Sequence, residues 1–429
     1  MHAQAPDRPI ATRSLVLAAL STVVEWYDFT VYLYLSTVLA RVFYGGGRAS
    51  LIATLGGFAI AYLLRPLGAA VFGHIGDRFG RRVSLLGSMA LVTIATLVTA
   101  MLPTHQAIGP AAGWLLLALR CVTAFAVGGE YTGVVAYLLE GAPSGRRGLV
   151  TSFAAAASEV GGLCAAAVSA ATVGSLDRAA LDGWGWRIPF LIGAALAAIV
   201  LVARAAMEES PDFVRQRVQG TIPVRPLRNT LLAHPAAIAR GFAISALGSI
   251  TYYVGITYVP AFLATVGPLG EARALWLATA AALVVIAVTP LVGALSDRVG
   301  RRPILVALAV LGAALPLAMF GWMAAGSAVQ MVTGALLLAA LAGAVSAVGA
   351  VATAELFSGE GRLSGLALGA TTATAIFGGL APLVAQLLVE RTGWAPAPGA
   401  MIAVVALGVL PVLWRLPGPA AQAASASNP

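Results

Sequence analysis

Lysine is missing from this chain: all 26 basic residues among its 429 are arginine. The absence reads as a codon-biased genome rather than a physical device, although arginine is the harder of the two cations to discharge when buried. Charge of either sign is scarce. Charged residues make up 10% of the sequence and hydrophobic ones 59%, against roughly 25% charged in soluble domains. A chain this apolar lacks the polar coat needed to meet water, which excludes a soluble globular protein and leaves lipid as its solvent. Cysteine is nearly absent too. Cys121 and Cys164 fall inside apolar runs without metal-ligand spacing and read as small packing residues. The four histidines, His2, His74, His105 and His234, lie at the N-terminus or in loops. No nucleophile–base constellation, metal-ligand cluster or phosphate loop stands out, so neither an enzyme nor a cofactor is expected. The formal charge of +9 does not signal nucleic acid, because the cations sit in short loops rather than in a basic patch interleaved with aromatics.

What the chain has in abundance is long apolar runs. They lie near 14–40, 51–73, 83–103, 111–139, 149–173 and 186–206, then near 236–264, 272–295, 303–325, 328–355, 363–389 and 397–415. A bilayer core takes about 20 residues of helix, so the runs predict twelve spans, six before and six after the longest loop. The first lacks a small-residue cleavage site after a short core and reads as a span, not a removable signal peptide. Arginine is unevenly shared: 18 lie on the side of the N-terminus and 6 on the other, with Arg65 and Arg120 inside spans. That asymmetry predicts cytoplasmic termini and a multi-pass protein of a bacterial inner membrane. The polar, arginine-rich stretch 207–235 divides the chain into a half at 1–206 and a half at 236–429.

One short segment is written twice. Gly73-His74-Ile75-Gly76-Asp77-Arg78-Phe79-Gly80-Arg81-Arg82 recurs as Gly293-Ala294-Leu295-Ser296-Asp297-Arg298-Val299-Gly300-Arg301-Arg302, and Glu140 with Arg147 recurs as Glu355 with Arg362. Repeats spaced by half a chain mean duplicated halves, and in a membrane that pattern predicts an alternating-access transporter. The expected fold is all-α: twelve transmembrane helices in two pseudo-symmetric six-helix bundles. The repeated charges sit at span ends, where Asp can meet helix N-termini and Arg can meet carboxylates or C-terminal carbonyls. Asp77, Arg78, Arg81, Arg147, Asp297, Arg298, Arg301 and Arg362, with Glu140 and Glu355, are therefore expected to gate. Asp77 and Asp297 are expected to pair with Arg147 and Arg362, or with neighbours, when the protein faces outward.

Further stretches add detail: Glu25-Trp26-Tyr27-Asp28-Phe29, Arg65-Pro66-Leu67-Gly68, Gly128-Gly129-Glu130-Tyr131-Thr132-Gly133, Trp184-Gly185-Trp186-Arg187-Ile188-Pro189-Phe190, Glu209-Ser210-Pro211-Asp212-Phe213 and Phe377-Gly378-Gly379-Leu380-Ala381-Pro382. With the doubled loop, they resemble the major facilitator superfamily and, within it, the metabolite:proton symporter family. The resemblance implies proton-coupled uptake of a small organic anion or zwitterion. Members carry α-ketoglutarate, citrate, shikimate, aromatic acids, proline or betaine. Gly128–Gly133 and Thr251-Tyr252-Tyr253 with Thr257-Tyr258-Val259-Pro260 are most similar to the proline/betaine branch, whereas Arg120 matches the organic-acid carriers. The coiled-coil extension of osmosensing members is not seen after Arg415. A di- or tricarboxylate is the leading substrate class, a compatible solute the rival, and a drug exporter or a non-transporting sensor less favoured. A monomer is expected to be the working unit.

A charge near the bilayer centre costs at least ~2.5–3.5 kcal/mol, so each one needs a reason. Six positions qualify, all in the first half: Glu25, Asp28, Arg65, Arg120, Glu130 and Glu159. Glu25 lies roughly 16 Å into the first span; Asp28 and Tyr32 share its face. Two close carboxylates repel when both are ionised, so one of the pair can carry a proton, unless they serve as partners of a buried arginine. Arg120 presents a fork suited to a substrate carboxylate or to Glu25 or Asp28. Arg65 is divided between substrate and a structural pair, with Glu130 the first candidate partner. Glu130 itself is read as structural or gating, and Glu159 as a second proton site. Four acids against two arginines leave two carboxylates over, which argues for coupling to protons. The second half offers neutral groups, among them Ser245, Ser249, Thr371, Thr372, Thr374 and Gln386. There Tyr252, Tyr253 and Tyr258 can line the substrate site or simply pack.

Overall fold

The computed structural model describes residues 12–79, 81–128, 130–140, 142–205, 226–266, 269–357 and 362–416. Within them the regular structure is helical throughout, with no strand. The first half holds α1 (Thr12–Tyr34), α2 (Ser36–Tyr44), α3 (Arg48–Leu63), α4 (Arg65–Phe79), α5 (Arg81–Ala100), α6 (Ala111–Ala126), α7 (Glu130–Glu140), α8 (Arg147–Ser175) and α9 (Arg187–Ala205). The second holds α10 (Pro235–Tyr252), α11 (Val259–Thr265), α12 (Glu271–Val299), α13 (Arg301–Ala324), α14 (Ala328–Glu355), α15 (Ala381–Thr392) and α16 (Ala397–Trp414). Among the described residues, nine helices are long and apolar enough to cross a bilayer, or ten when Pro235–Thr257 and Val259–Thr265 count as one bent span. The two remaining expected runs fall on α1 and on α6 with α7, in keeping with twelve.

Several spans are broken, and the breaks follow residue chemistry. The second expected span parts at Leu64, between α3 and α4, where Pro66 lacks an amide to donate. The seventh bends by 41° around Tyr258, after a π-helical turn at Tyr253–Thr257 and before Pro260. The eleventh carries two such turns, at Ala367–Thr371 and Ala375–Gly379. Extra residues of this kind turn side chains off the regular helical stripe, and they gather at functional sites.

Close backbone packing then fixes the pieces. A Cβ on Gly128 would lie 2.2 Å from the Arg65 carbonyl oxygen, so the start of α4 rests directly on the break between α6 and α7. A Cβ on Gly161 would lie 2.2 Å from the Val23 carbonyl, which presses α8 onto α1. Small residues permit such contacts in lipid, where packing rather than water expulsion drives association. The first places Arg65 and the second places Glu159 beside the Glu25–Asp28 segment. Helix α12 lies along α8, joining the halves, and one continuous apolar core runs through both.

Candidate functional site

The charges read as deep in the sequence are sorted by the fold into pairs. Arg120 on α6 grips Asp28 on α1 through both ends of its fork, Nη1 to Oδ2 at 3.0 Å and Nη2 to Oδ1 at 3.3 Å. Thr96 on α5 donates to the same Oδ1 at 2.7 Å, and the guanidinium lies 5.6 Å over the Tyr32 ring. Both charged partners are at most 4% exposed, so each neutralises a cost that neither could bear alone.

Arg65 pairs with Glu25, not with Glu130 as the sequence led one to expect. Its other terminal nitrogen donates to the Tyr62 hydroxyl, which shares a hydrogen bond with the Tyr253 hydroxyl across the halves. Phe29 and Tyr62 offer their ring faces to the guanidinium at 4.5 and 4.8 Å. Glu130 instead meets Arg204, at the end of α9 and 4% exposed. Arg204 has the look of a loop cation in the sequence because it ends an apolar run. With it, the count becomes four acids against three arginines. Among the described residues, Glu159 alone of those four acids has no arginine partner.

A cavity of about 150 Å³ lies between the halves. The first half lines it with Trp26, Arg65, Tyr131, Ser158 and Glu159, and the second with Ser245, Ser249, Tyr252, Tyr253, Thr353, Thr371 and Thr374. The fold thus brings Arg65, Glu159, Tyr252 and Tyr253 together there. It places the other candidates elsewhere. Glu25 and Asp28 stand behind the wall in their ion pairs, Arg120 stays with Asp28, and Tyr32 donates to the Thr54 carbonyl at 2.9 Å. Tyr258 donates to Gln386 at 2.7 Å, and Gln386 donates on to Glu390 at 2.8 Å. Sequence reasoning passed over Trp26, Thr353 and Tyr62. Only Tyr62 carried a usable signal, three residues before Arg65 on the same face.

Cross-half ties close the bundle at both ends of α12. At one end, Asp297 accepts from the Gly148 and Leu149 amides at 2.7 and 2.9 Å, the open donors at the start of α8. Arg301 holds Asp297 at 2.9 Å and Glu355 at 3.1 Å. Asp297 thus pairs with Arg301 and with backbone rather than with the Arg147 side chain. Arg298 is exposed at the end of α12. The side chains of Asp77, Arg78, Arg81, Glu140 and Arg362, which the sequence also proposed as gates, lie outside the described residues. At the far end, Arg41 on α2 reaches Glu271 on α12 at 2.6 Å and Asp182 at 3.1 Å. This cluster was not foreseen.

A polar-lined cavity between two helical sets, with ion-paired ties at either end, defines a secondary transporter rather than an enzyme. The chain belongs to the major facilitator superfamily. The family model for sugar and other transporters matches residues 14–221, and that of the Major Facilitator Superfamily matches 268–428. The citrate–proton symporter of Klebsiella pneumoniae is 31% identical over 92% of this chain and 90% of its own length. The α-ketoglutarate permease of Escherichia coli K12 is 33% identical over 87% of each. An ectoine/proline transporter of Corynebacterium glutamicum is 32% identical over 86% of this chain and 76% of its own. The fold also matches the xylose transporter of E. coli in a partially occluded inward-open conformation, with a TM-score of 0.74, 20% identity and coverage of 95% and 98%.

Proposed function

We propose that this protein takes up a small organic acid together with a proton across a bacterial inner membrane. Uptake proceeds by alternating access of the halves 1–206 and 236–429 about the 207–235 loop. The working unit is a monomer in lipid with both termini cytoplasmic, an orientation supported by the distribution of loop arginines. The observation that carries the reading is Glu159: a carboxylate 3% exposed, on the cavity wall, with no arginine partner among the described residues. A buried carboxylate of this kind is far less costly neutral than charged, so it takes a proton where it meets the acidic side and gives it up on the other. Asp28 and Glu25 hold Arg120 and Arg65 in place, and Glu25, whose Oε2 has no partner, stays beside Glu159 as a candidate proton site. The similarity to the citrate and α-ketoglutarate carriers supports an acid as cargo.

The rival cargo is a zwitterionic compatible solute. Trp26, Tyr252 and Tyr253 line the cavity with aromatic side chains of the kind that bind a quaternary ammonium, and an ectoine/proline transporter is among the similar proteins. Reconstituted protein offered citrate, α-ketoglutarate, proline and glycine betaine, with and without an inward proton gradient, separates the two. Accumulation of an acid driven by the gradient is the expected result. Gradient-driven uptake of only the zwitterions selects the rival, and no stimulation by the gradient ends the symport reading.

A further inference from the structure

Four residues of the cavity wall carry polar groups that the protein leaves short of partners, Trp26, Glu159, Tyr252 and Thr353: Trp26 Nε1 and Thr353 Oγ1 have none, and the Glu159 carboxyl and the Tyr252 hydroxyl face each other. Buried polar groups are nearly always paired, so two orphans beside a Glu–Tyr pair around one space point to a ligand that completes them. Trp26 and Glu159 come from α1 and α8 of the first half, Tyr252 and Thr353 from α10 and α14 of the second. Their chemistry is uneven. The indole N–H can only donate, and the two hydroxyls can donate. Glu159 is an acceptor when ionised and a donor when protonated.

We infer that the substrate carboxylate is seated by Trp26, Tyr252, Thr353 and the protonated carboxyl of Glu159, and not by an arginine. Arg65 faces the same cavity, but its fork is engaged by Glu25 and Tyr62. Arg120 is engaged by Asp28 and is not on the cavity wall. Trp26 is held in place by edge contacts with Tyr131 and Tyr252, at 5.9 and 5.2 Å between ring centroids. Gly162 borders both groups: a Cβ there would sit in ordinary contact, 3.6 Å from the Tyr252 hydroxyl and 3.7 Å from Glu159 Oε2.

The arrangement rests on the proposed uptake of a carboxylate, and it explains why such uptake requires a proton. Ionised Glu159 repels the incoming carboxylate, whereas protonated Glu159 donates to it, so proton and substrate each favour binding of the other. Because two donors come from each half, a seated substrate also draws the halves together. The titratable groups facing Glu159 are Tyr34 of α1, Tyr131 of α7 and Tyr252 of α10. The Glu25–Arg65 pair lies on the α1 side, and Glu130 of α7 is held by Arg204 of α9. The other helices packed on α8 carry charge only near their ends: Glu271, Arg273, Asp297 and Arg298 on α12, Glu355 on α14, and Arg187 and Arg204 on α9.

The probe is whichever of citrate, α-ketoglutarate, proline or glycine betaine the full-length protein accumulates in vesicles, since each carries a carboxylate. Its binding is measured calorimetrically across a pH series, with thermal unfolding to confirm that each variant is folded. Trp26→Phe, Tyr252→Phe and Thr353→Val each remove one donor from a bond to a charged group, and about ten- to hundredfold weaker binding is expected for each. Glu159→Gln keeps a neutral donor: binding persists but loses its pH dependence, and gradient-driven accumulation stops. Folded Tyr252→Phe and Thr353→Val that bind as wild type overturn the seat, as does Glu159→Gln that keeps the wild-type pH dependence. Loss of binding only in Arg65→Lys assigns the carboxylate to that arginine and leaves the uptake reading standing. Failure of the wild-type protein to accumulate any of the four compounds sinks the uptake reading itself, and the seat with it.

Discussion

Asp28 and Glu159 are carboxylates equally withdrawn from solvent, 3% exposed each, and the fold treats them in opposite ways. Asp28 accepts from both terminal nitrogens of Arg120 and from Thr96, and it links α1 to α5 and α6. Glu159 lines the cavity without an arginine, facing the Tyr252 hydroxyl. A carboxylate whose oxygens are all engaged serves as a joint. One less fully engaged can exchange a proton and meet a ligand. Burial alone therefore does not mark a working acid; what matters is how many of its lone pairs the protein has already claimed.

The largest expected effect strikes the joint. Asp28→Ala leaves Arg120 buried without its counter-charge, a loss of roughly 3–5 kcal/mol, whereas Glu159→Gln leaves no charge stranded. Thermal unfolding of the two purified variants checks this, and equal midpoints break the contrast. Next comes the pair that left Glu159 alone. Glu130→Arg or Arg204→Glu lowers stability, and the double exchange recovers part of it, with a coupling of about 0.5–3 kcal/mol. No recovery in the double variant restores Glu130 as a competitor for the proton. A smaller effect is expected of Thr96→Val, which removes one of the bonds to Asp28 at a cost of about 1.5 kcal/mol. The same melts measure it, and a null result makes Asp28 less saturated than its geometry implies. Smallest in stability is Arg41→Gln, about 1 kcal/mol or less for a partly exposed pair. Its effect should appear instead as greater labelling of a cysteine placed at Thr37, beside the Arg41 tie.

Much of the framework was readable from residue order. Apolar runs marked the helices, the doubled Asp77 and Asp297 loops marked two related halves, and cost in lipid singled out Glu25, Asp28, Arg65, Arg120, Glu130 and Glu159. Pairing was not readable, because it depends on where spans cross. Arg65 meets Glu25 rather than Glu130 because Gly128 lets α4 settle backbone to backbone on the neighbouring span. Arg204 went unnoticed because an arginine ending an apolar run looks the same whether it turns to water or inward. Trp26 stood in plain sight between two acids that drew attention from it. Thr353 is one small hydroxyl in an almost wholly apolar helix, and nothing in its neighbours marks it.

The ties at the two ends of α12 differ in one further respect. Arg41, Asp182 and Glu271 keep side-chain exposures of 17%, 26% and 28%, whereas in the other tie Asp297 and Arg301 are at 8% and Glu355 at 23%. Dissolved ions reach the first cluster far more readily than the second, and screening acts over about 10 Å at 0.1 M salt. In the proposed orientation the exposed cluster faces the medium outside the cell. Salt is therefore expected to weaken the Arg41 cluster more than the Asp297–Arg301 pair.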